Sequence, residues 1–190
     1  MPRLFVATEL SAEAQARASS LEEQLRRQLR RRARVRWTRP DGRHVTLCFL
    51  GLVADAAVDA VAKVMHDVAA RHFGFQVAVH GLGAFPTARR ARVLWLGVTD
   101  PAGALARLAA DLQEGLREAG HEIDSREFKG HVTLGRVADR SGLDVDDEME
   151  LDQAEPISLQ VDSIVLFESQ LAPSGARYVR LRQARLADAG

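Results

Sequence analysis

The sequence contains one cysteine, Cys48, among 190 residues. A single cysteine excludes an internal disulfide and any zinc site built from several cysteine ligands. The longest apolar runs, such as residues 93–96, have the length of a strand and are far too short to span a membrane. The first residues lack the long apolar stretch of a secretory signal peptide and lead directly into a strand-like pattern. These absences predict a cytoplasmic protein that has no membrane partner.

The chain also has no net charge, because 26 acidic residues balance 26 lysines and arginines. No overall field therefore attracts nucleic acid to it. The distribution is nevertheless uneven, since seven arginines fall between Arg26 and Arg36. Two interpretations of this cluster stay open: a solvated surface, or a patch that steers phosphate groups towards a nearby site.

Apolar spacing predicts helices and strands that alternate along the chain. Helical spacing occurs in 11–33, where Ser11 is a plausible N-cap, in a second segment around 58–68, and after Asp100, where Pro101 suits the first helical position. Strand-like segments lie at 4–8, 44–50, 75–79, 92–98, 131–137, 157–167 and 178–182, and 81–91 reads as a loop. With no separating linker, residues 1–190 are predicted to form one α+β domain with largely antiparallel strands.

One tetrapeptide occurs twice, His-Val-Thr-Leu, at residues 44–47 and again at 131–134. Each copy begins a predicted strand. Side chains alternate along a strand, so histidine and threonine share one face while valine and leucine anchor the other face on a core. Two such strands facing each other would place two imidazoles and two hydroxyls around one small site.

This set of groups suits cleavage of a phosphodiester without a metal or cofactor. One neutral imidazole takes a proton from the nucleophile and one imidazolium protonates the departing oxygen, each step contributing about 10²–10⁴-fold. Threonine hydroxyls can donate to the phosphate oxygens as charge develops. The other histidines lack the spacing of a metal-binding motif: His66, His72, His80 and His121.

Both motifs and several flanking segments resemble a known family. The flanking segments are 3–7 (RLFVA), 36–37 (RW), 48–51 (CFLG), 85–86 (FP), 92–97 (RVLWLG), Arg136 and 166–169 (LFES). The chain resembles the 2H phosphoesterase superfamily, and within it the RNA 2′,3′-cyclic phosphodiesterases, historically called 2′-5′ RNA ligases. The resemblance implies a bilobal fold of two mainly antiparallel sheets, related by pseudo-two-fold symmetry, with helices outside and the site in the central cleft. It also implies hydrolysis of an RNA 2′,3′-cyclic phosphate end, or of a cyclic nucleotide, to a 2′-phosphate without metal or cofactor, and we expect a monomer.

The resemblance further assigns roles to the motif residues. His44 and Thr46 form one half of the site, and His131 and Thr133 form the other. His44 is expected to be the acid facing the 3′ oxygen and His131 the base that holds the water, while the threonines bind the phosphate.

Three further positions depart from strict strand alternation or from the family pattern. Arg136 is expected to contact a phosphate, and Phe49 offers a ring to the base. Strict alternation puts both on the face opposite the histidines, so each needs a bulge or a strand end to reach the cleft. Cys48 stands where the family often has a basic residue, so a phosphate contact is missing there or is supplied elsewhere.

Other functions fit the same pattern. A 5′-hydroxyl in place of water would give 2′-5′ ligation through the same geometry. A non-catalytic RNA- or nucleotide-binding module is a different class, although the presence of both histidines and both threonines argues against it. An esterase acting on small cyclic nucleotides is a third alternative.

Overall fold

Three amphipathic helices and nine strands make up the computed structural model, which describes residues 1–124, 127–139, 141–145, 155–172 and 175–188. The helices are α1 (Ala12–Leu29), α2 (Val58–Ala69) and α3 (Ala104–Glu118). The strands are β1 (Arg3–Glu9), β2 (Val35–Trp37), β3 (His44–Leu52), β4 (Phe75–Phe85), β5 (Val93–Thr99), β6 (His131–Val137), β7 (Ile157–Val161), β8 (Ser163–Ala172) and β9 (Gly175–Arg185).

Side-chain caps set where two of the helices begin. Ser11 caps α1, its hydroxyl accepting from the Ala14 N–H at 3.2 Å, as its sequence position predicts. The prediction that Pro101 opens α3 is wrong. The Asp100 carboxylate instead accepts from the N–H groups of Ala104 and Leu105, at 3.1 and 2.8 Å, so the helix begins three residues later.

The strands form one sheet of two similar halves, in the order β7-β4-β5-β6-β3-β1-β8-β9, with β2 beside β6. All the pairings between these strands are antiparallel. The halves meet at β3 and β6, which share a single register pair, Val45 with Val132. The predicted α+β class is confirmed, and the two predicted sheets are the two halves of this continuous sheet.

Two segments differ from the prediction because sheet pairing overrides local composition. The predicted loop at 81–91 is strand as far as Phe85, since Gly81 takes a φ of 71° and the register with β5 shifts there. The short strand β2 lies in the arginine cluster and was not predicted, although residues 33–37 (ARVRW) alternate between apolar and charged residues. Its strand conformation comes from its pairing with β6.

The main core lies between the helices and one face of the sheet, called here the helix face. Fully buried leucines of α3 pack in it with inward side chains of the two central strands. The opposite face, called here the open face, carries the alternate side chains of those strands. The sheet therefore presents the polar half of each repeated motif away from the core.

Candidate active site

The two copies of the repeated tetrapeptide have the same environment, residue for residue. In both, the valine and leucine are at most 2% exposed on the helix face, while the histidine and threonine are partly exposed on the open face. The agreement continues for three further residues, so that 44–50 and 131–137 share one burial pattern. The predicted alternation is therefore present at both positions.

The register of the central strands brings the four polar side chains together. Val45 lies opposite Val132 in an antiparallel pair. One residue to either side of that pair, His44 neighbours Thr133 and Thr46 neighbours His131 on the open face. The two imidazoles then lie on a diagonal, for which the Cβ separation is about 7–8 Å or slightly less. The register therefore puts two imidazoles and two hydroxyls at neighbouring positions of the open face.

Each histidine ring is fixed by the carbonyl two residues before it. The His44 Nδ1–H donates to the Gly42 carbonyl at 2.9 Å, and the His131 Nδ1–H donates to the Lys129 carbonyl at 2.7 Å. A carbonyl can only accept, so Nδ1 carries the proton in both neutral rings. Nε2 is then the nitrogen of each ring that can take up or deliver a proton at the site.

His44 lies against an aromatic wall built by three strands. Its ring centroid is 4.7 Å from that of Phe5, 5.1 Å from that of Tyr178 and 6.1 Å from that of Phe167. This group is part of a small apolar cluster separate from the main core. Burial lowers the pKa of His44 to about 4, against the opposing effect of the Gly42 hydrogen bond, and the nearby His131 lowers this pKa further.

His131 has aromatic neighbours and also two cationic ones. Its ring centroid is 5.0 Å from that of Phe85 and 5.9 Å from that of Trp95. The Lys129 ammonium sits 4.8 Å from the Trp95 ring centroid. Burial is the main cause that lowers the pKa of His131; the charges of Arg136 and Lys129 lower it further, and the Lys129 carbonyl opposes both. Both imidazoles are therefore held neutral near pH 7 in the free protein.

Matching bulges bring Phe49 and Arg136 to the open face. In β3 the register with β1 shifts after Thr46, and in β6 the register with β5 shifts after Thr133. Each shift inserts one residue and reverses the alternation beyond it. Phe49 is consequently 58% exposed with its ring 6.0 Å from that of Phe5, and Arg136 is exposed on the side of His131. The bulge that each residue required is present.

Cys48 lies at the bulge of β3 and faces the core. It is 3% exposed, and burial raises the pKa of its thiol to about 12. Its side chain therefore does not occupy the place of a basic residue on the open face.

The arginine cluster lies mostly outside the cleft. Five of its members line a shallow groove with Trp37, in which none of the four motif residues takes part: Arg26, Arg30, Arg31, Arg32 and Arg34. Arg26 pairs with Glu22 at 2.7 Å and lies 5.0 Å from the Trp37 ring centroid. Arg36 differs from these five because its partner in the sheet is Arg136.

A buried ion pair next to His44 was not predicted from the sequence. Arg43 is 3% exposed, and its guanidinium forms an ion pair with Glu22 of α1 and donates to the Ser19 hydroxyl at 2.8 Å. This contact anchors the turn whose Gly42 carbonyl holds the His44 ring. The aromatic wall was also missed, although the alternation of 3–7 could have placed Phe5 on a strand face.

Comparisons with known proteins show the family to which the chain belongs. The sequence model of the 2′-5′ RNA ligase superfamily matches residues 10–172 of this chain. The chain belongs to this superfamily. Curated relatives named RNA 2′,3′-cyclic phosphodiesterase include one from Methanothermobacter thermautotrophicus, 31% identical over 159 residues, which covers 81% of this chain and 84% of the relative. Another, from Archaeoglobus fulgidus, is 34% identical over 149 residues, 78% of this chain and 82% of the relative.

Solved structures of the superfamily have the same fold. TT0787 of Thermus thermophilus superposes with a TM-score of 0.82 at 25% identity, covering 99% of this chain and all of that one. E. coli LigT complexed with 3′-AMP gives a TM-score of 0.71 at 26% identity, over 98% and 99% of the two chains. The family resemblance and the fold that it implied are confirmed.

Two further properties concern the described residues alone. No cluster of three or more histidine, cysteine, aspartate or glutamate side chains among them could hold a metal ion. No helix in this part of the chain has both the length and the apolarity to cross a membrane.

Proposed function

We propose that this protein hydrolyses the 2′,3′-cyclic phosphate at an RNA end to a 2′-phosphate, with His44 and His131 as the acid–base pair and without a metal or cofactor. The observation that carries the proposal is the duplication of one arrangement on the two central strands, a neutral imidazole beside the other strand's hydroxyl. The similarity to relatives named RNA 2′,3′-cyclic phosphodiesterase supports RNA as the substrate class.

The proposed reaction uses the Nε2 atoms of both rings. Water attacks phosphorus on the side opposite the 3′ oxygen, forming a new P–O bond as the P–O3′ bond breaks. His131 takes the proton from the water, and His44, protonated when the substrate is bound, gives its proton to the 3′ oxygen. The phosphate anion between the rings favours this one shared proton, because it offsets the burial that keeps both imidazoles neutral in the free protein.

The remaining site residues bind the charged phosphate oxygens and the nucleobase. The hydroxyls of Thr46 and Thr133 donate to the non-bridging oxygens as negative charge builds up on them. Arg136 contributes a positive charge on the same face, and Phe49 offers an exposed ring on which a base can stack. We further propose that residues 1–190 act as one monomeric, bilobal domain in the cytoplasm.

The test is incubation with an RNA that ends in a 2′,3′-cyclic phosphate, with and without EDTA, followed by assignment of the product phosphate. We expect a 2′-phosphate in both samples. A 3′-phosphate product would contradict the assignment of the leaving oxygen, and loss of turnover in EDTA that a divalent ion restores would contradict the metal-free chemistry. Binding without turnover would indicate a binding module, and turnover restricted to cyclic mononucleotides would indicate a small-molecule esterase.

Ligation is the second candidate, favoured by the superfamily to which the chain belongs. A 5′-hydroxyl in the position of the water would form a 2′-5′ linkage with the same two proton transfers. Adding an RNA with a free 5′-hydroxyl to the same incubation detects this product as a longer chain.

A further inference from the structure

Two arginines face each other across the β2–β6 pair. Arg36 lies directly opposite Arg136 in the register, and both side chains are exposed. Like charges in directly opposed positions of an antiparallel pair destabilise it, and here the pair occurs on a strand of only three residues. An anion bound between the two guanidiniums would remove this repulsion.

Neither guanidinium forms an ion pair or hydrogen bond with another residue in the described part of the chain. Some other exposed arginines do have such partners. Arg39, three residues after Arg36, pairs with Asp41 at 3.1 Å, and on the other half of the sheet Arg180 pairs with Glu9 at 3.0 Å. The donors of Arg36 and Arg136 thus remain available to a ligand.

The arginine pair lies at one end of the proposed site. The bulge puts Arg136 on the same face as Thr133, three residues further along β6, which corresponds to roughly 7–10 Å of strand. Arg36 is its neighbour on β2. The site of the reacting phosphate, between the histidines, is therefore separate from the space between the two guanidiniums.

We propose that Arg36 and Arg136 form a second phosphate site, which binds the phosphodiester on the 5′ side of the terminal nucleotide. The inference rests on the proposed function, because it takes the central site to hold the cyclic phosphate. Guanidinium groups bind phosphate through paired, charge-assisted hydrogen bonds. Such a site gives the protein a preference for an RNA chain over a cyclic mononucleotide, since only the chain has a phosphate there.

The experiment compares kcat/KM for a dinucleotide that ends in a 2′,3′-cyclic phosphate with kcat/KM for the matching cyclic mononucleotide. Wild type is expected to prefer the dinucleotide, and Arg36→Gln to lower the ratio of the two values by about tenfold, as for loss of a charged hydrogen bond. Arg30→Gln is the matched control, because it removes the same charge from an exposed residue of the groove beside Trp37. It should leave the ratio unchanged.

A dinucleotide with a neutral methylphosphonate linkage tests the same contact from the substrate side. For wild type the neutral linkage should lower kcat/KM by about as much as Arg36→Gln does, and for Arg36→Gln it should have little further effect. Equal wild-type values for the dinucleotide and mononucleotide, an equal loss of the ratio in Arg30→Gln, or independent effects of linkage and variant would each overturn the second site. Absence of turnover for every substrate would instead overturn the proposed function.

Discussion

The His44 and His131 halves of the site share their strand geometry and differ in what surrounds the imidazole. Both rings hold Nδ1 on the carbonyl two residues before, and both strands bulge at the same position. His44 is enclosed by aromatic rings, whereas His131 also has Lys129 and Arg136 nearby. The repeated tetrapeptide thus sets the geometry twice, while neighbours that are not repeated make the electrostatics of the two halves unequal.

The cations of the second half support the proposed role of His131. Fixed cations beside His131 oppose a positive charge on its ring whether or not substrate is bound, which suits a base that starts neutral. Burial is the main cause that opposes a charge on His44, followed by the other imidazole, and a bound phosphate anion would offset both. We therefore propose that His44 gains its proton only when the substrate anion binds.

The halves also differ in how the residue before each histidine is held. Arg43 is held by a buried ion pair with Glu22 of α1. Gly130 is held by close packing, since a Cβ added there would lie 3.2 Å from the Val98 Cβ and 3.3 Å from the Leu105 Cδ2. The first half therefore depends on a charge pair and the second on the small size of one residue.

The largest expected effect follows removal of either imidazole. His44→Ala and His131→Ala should each lower kcat by about 10²–10⁴-fold, since each removes one proton transfer. The double variant should be about as slow as either single variant, because the two act as one unit. His66→Ala, at an exposed histidine of α2, is the control. Substantial turnover in either single variant would rule out the two-histidine mechanism.

A substrate with sulfur in place of the 3′ oxygen distinguishes the two halves. Sulfur departs without protonation, so this substrate should restore most of the loss, about 10²-fold or more, in His44→Ala and little of it in His131→Ala. Single-turnover rates with the oxygen and sulfur substrates measure the rescue in each variant. The reverse pattern would exchange the acid and base roles, and no rescue of either variant would count against acid catalysis.

The stability of variants should differ between the two residues that precede the histidines, Arg43 and Gly130. Arg43→Met removes the buried partner of Glu22, leaving it only the half-exposed Arg26, and should lower the free energy of unfolding by about 3 kcal/mol. Gly130→Ala, which crowds its neighbours, should cost about 1–3 kcal/mol. Urea denaturation measures both, with Arg39→Met in an exposed ion pair as a control that should change by about 0.5 kcal/mol or less. Equal costs in the two halves would contradict the comparison.

The smallest effect concerns pH. Both histidine pKa values are lowered, that of His44 to about 4, so the bell-shaped profile of kcat/KM should have both limbs below the ordinary histidine value of about 6.5. Activity falls at the acid limb as the base is protonated and at the alkaline limb as the pair loses its shared proton.

Lys129→Met should move this profile upward, because it removes a cation that lowers the pKa of His131. Lys63→Met changes the chain's one other lysine, which pairs with Asp67 on α2, and should leave the profile in place. An optimum above pH 7 in wild type, or equal shifts in the two variants, would disagree with the electrostatics described above.

Alternation within a strand made the polar half of the site predictable. It assigned the histidines and threonines to one face, and it showed that Phe49 and Arg136 needed a bulge to join them. The aromatic wall was not predictable in the same way, because Phe5, Phe167 and Tyr178 meet only when β1, β8 and β9 pair. Local periodicity carries no information on which strands become neighbours.

The same limit applies to the charged residues. Glu22 and Arg43 are 21 positions apart, and their contact depends on how α1 packs against the turn before β3. Arg36 looked like one more member of a basic run. Arg36 differs from the other arginines because β2 pairs with β6, which places it opposite Arg136. The sequence of a three-residue strand does not show which strand it will pair with.

Cys48 gives this site a built-in reporter. Its thiol is buried two residues after Thr46, and a thiol whose pKa is raised to about 12 holds almost no reactive thiolate near neutral pH. Alkylating reagents should therefore label the native protein only when the β3 strand opens. Since the chain has no other cysteine, the labelling rate measures local unfolding beside the first histidine, free of background from any other thiol.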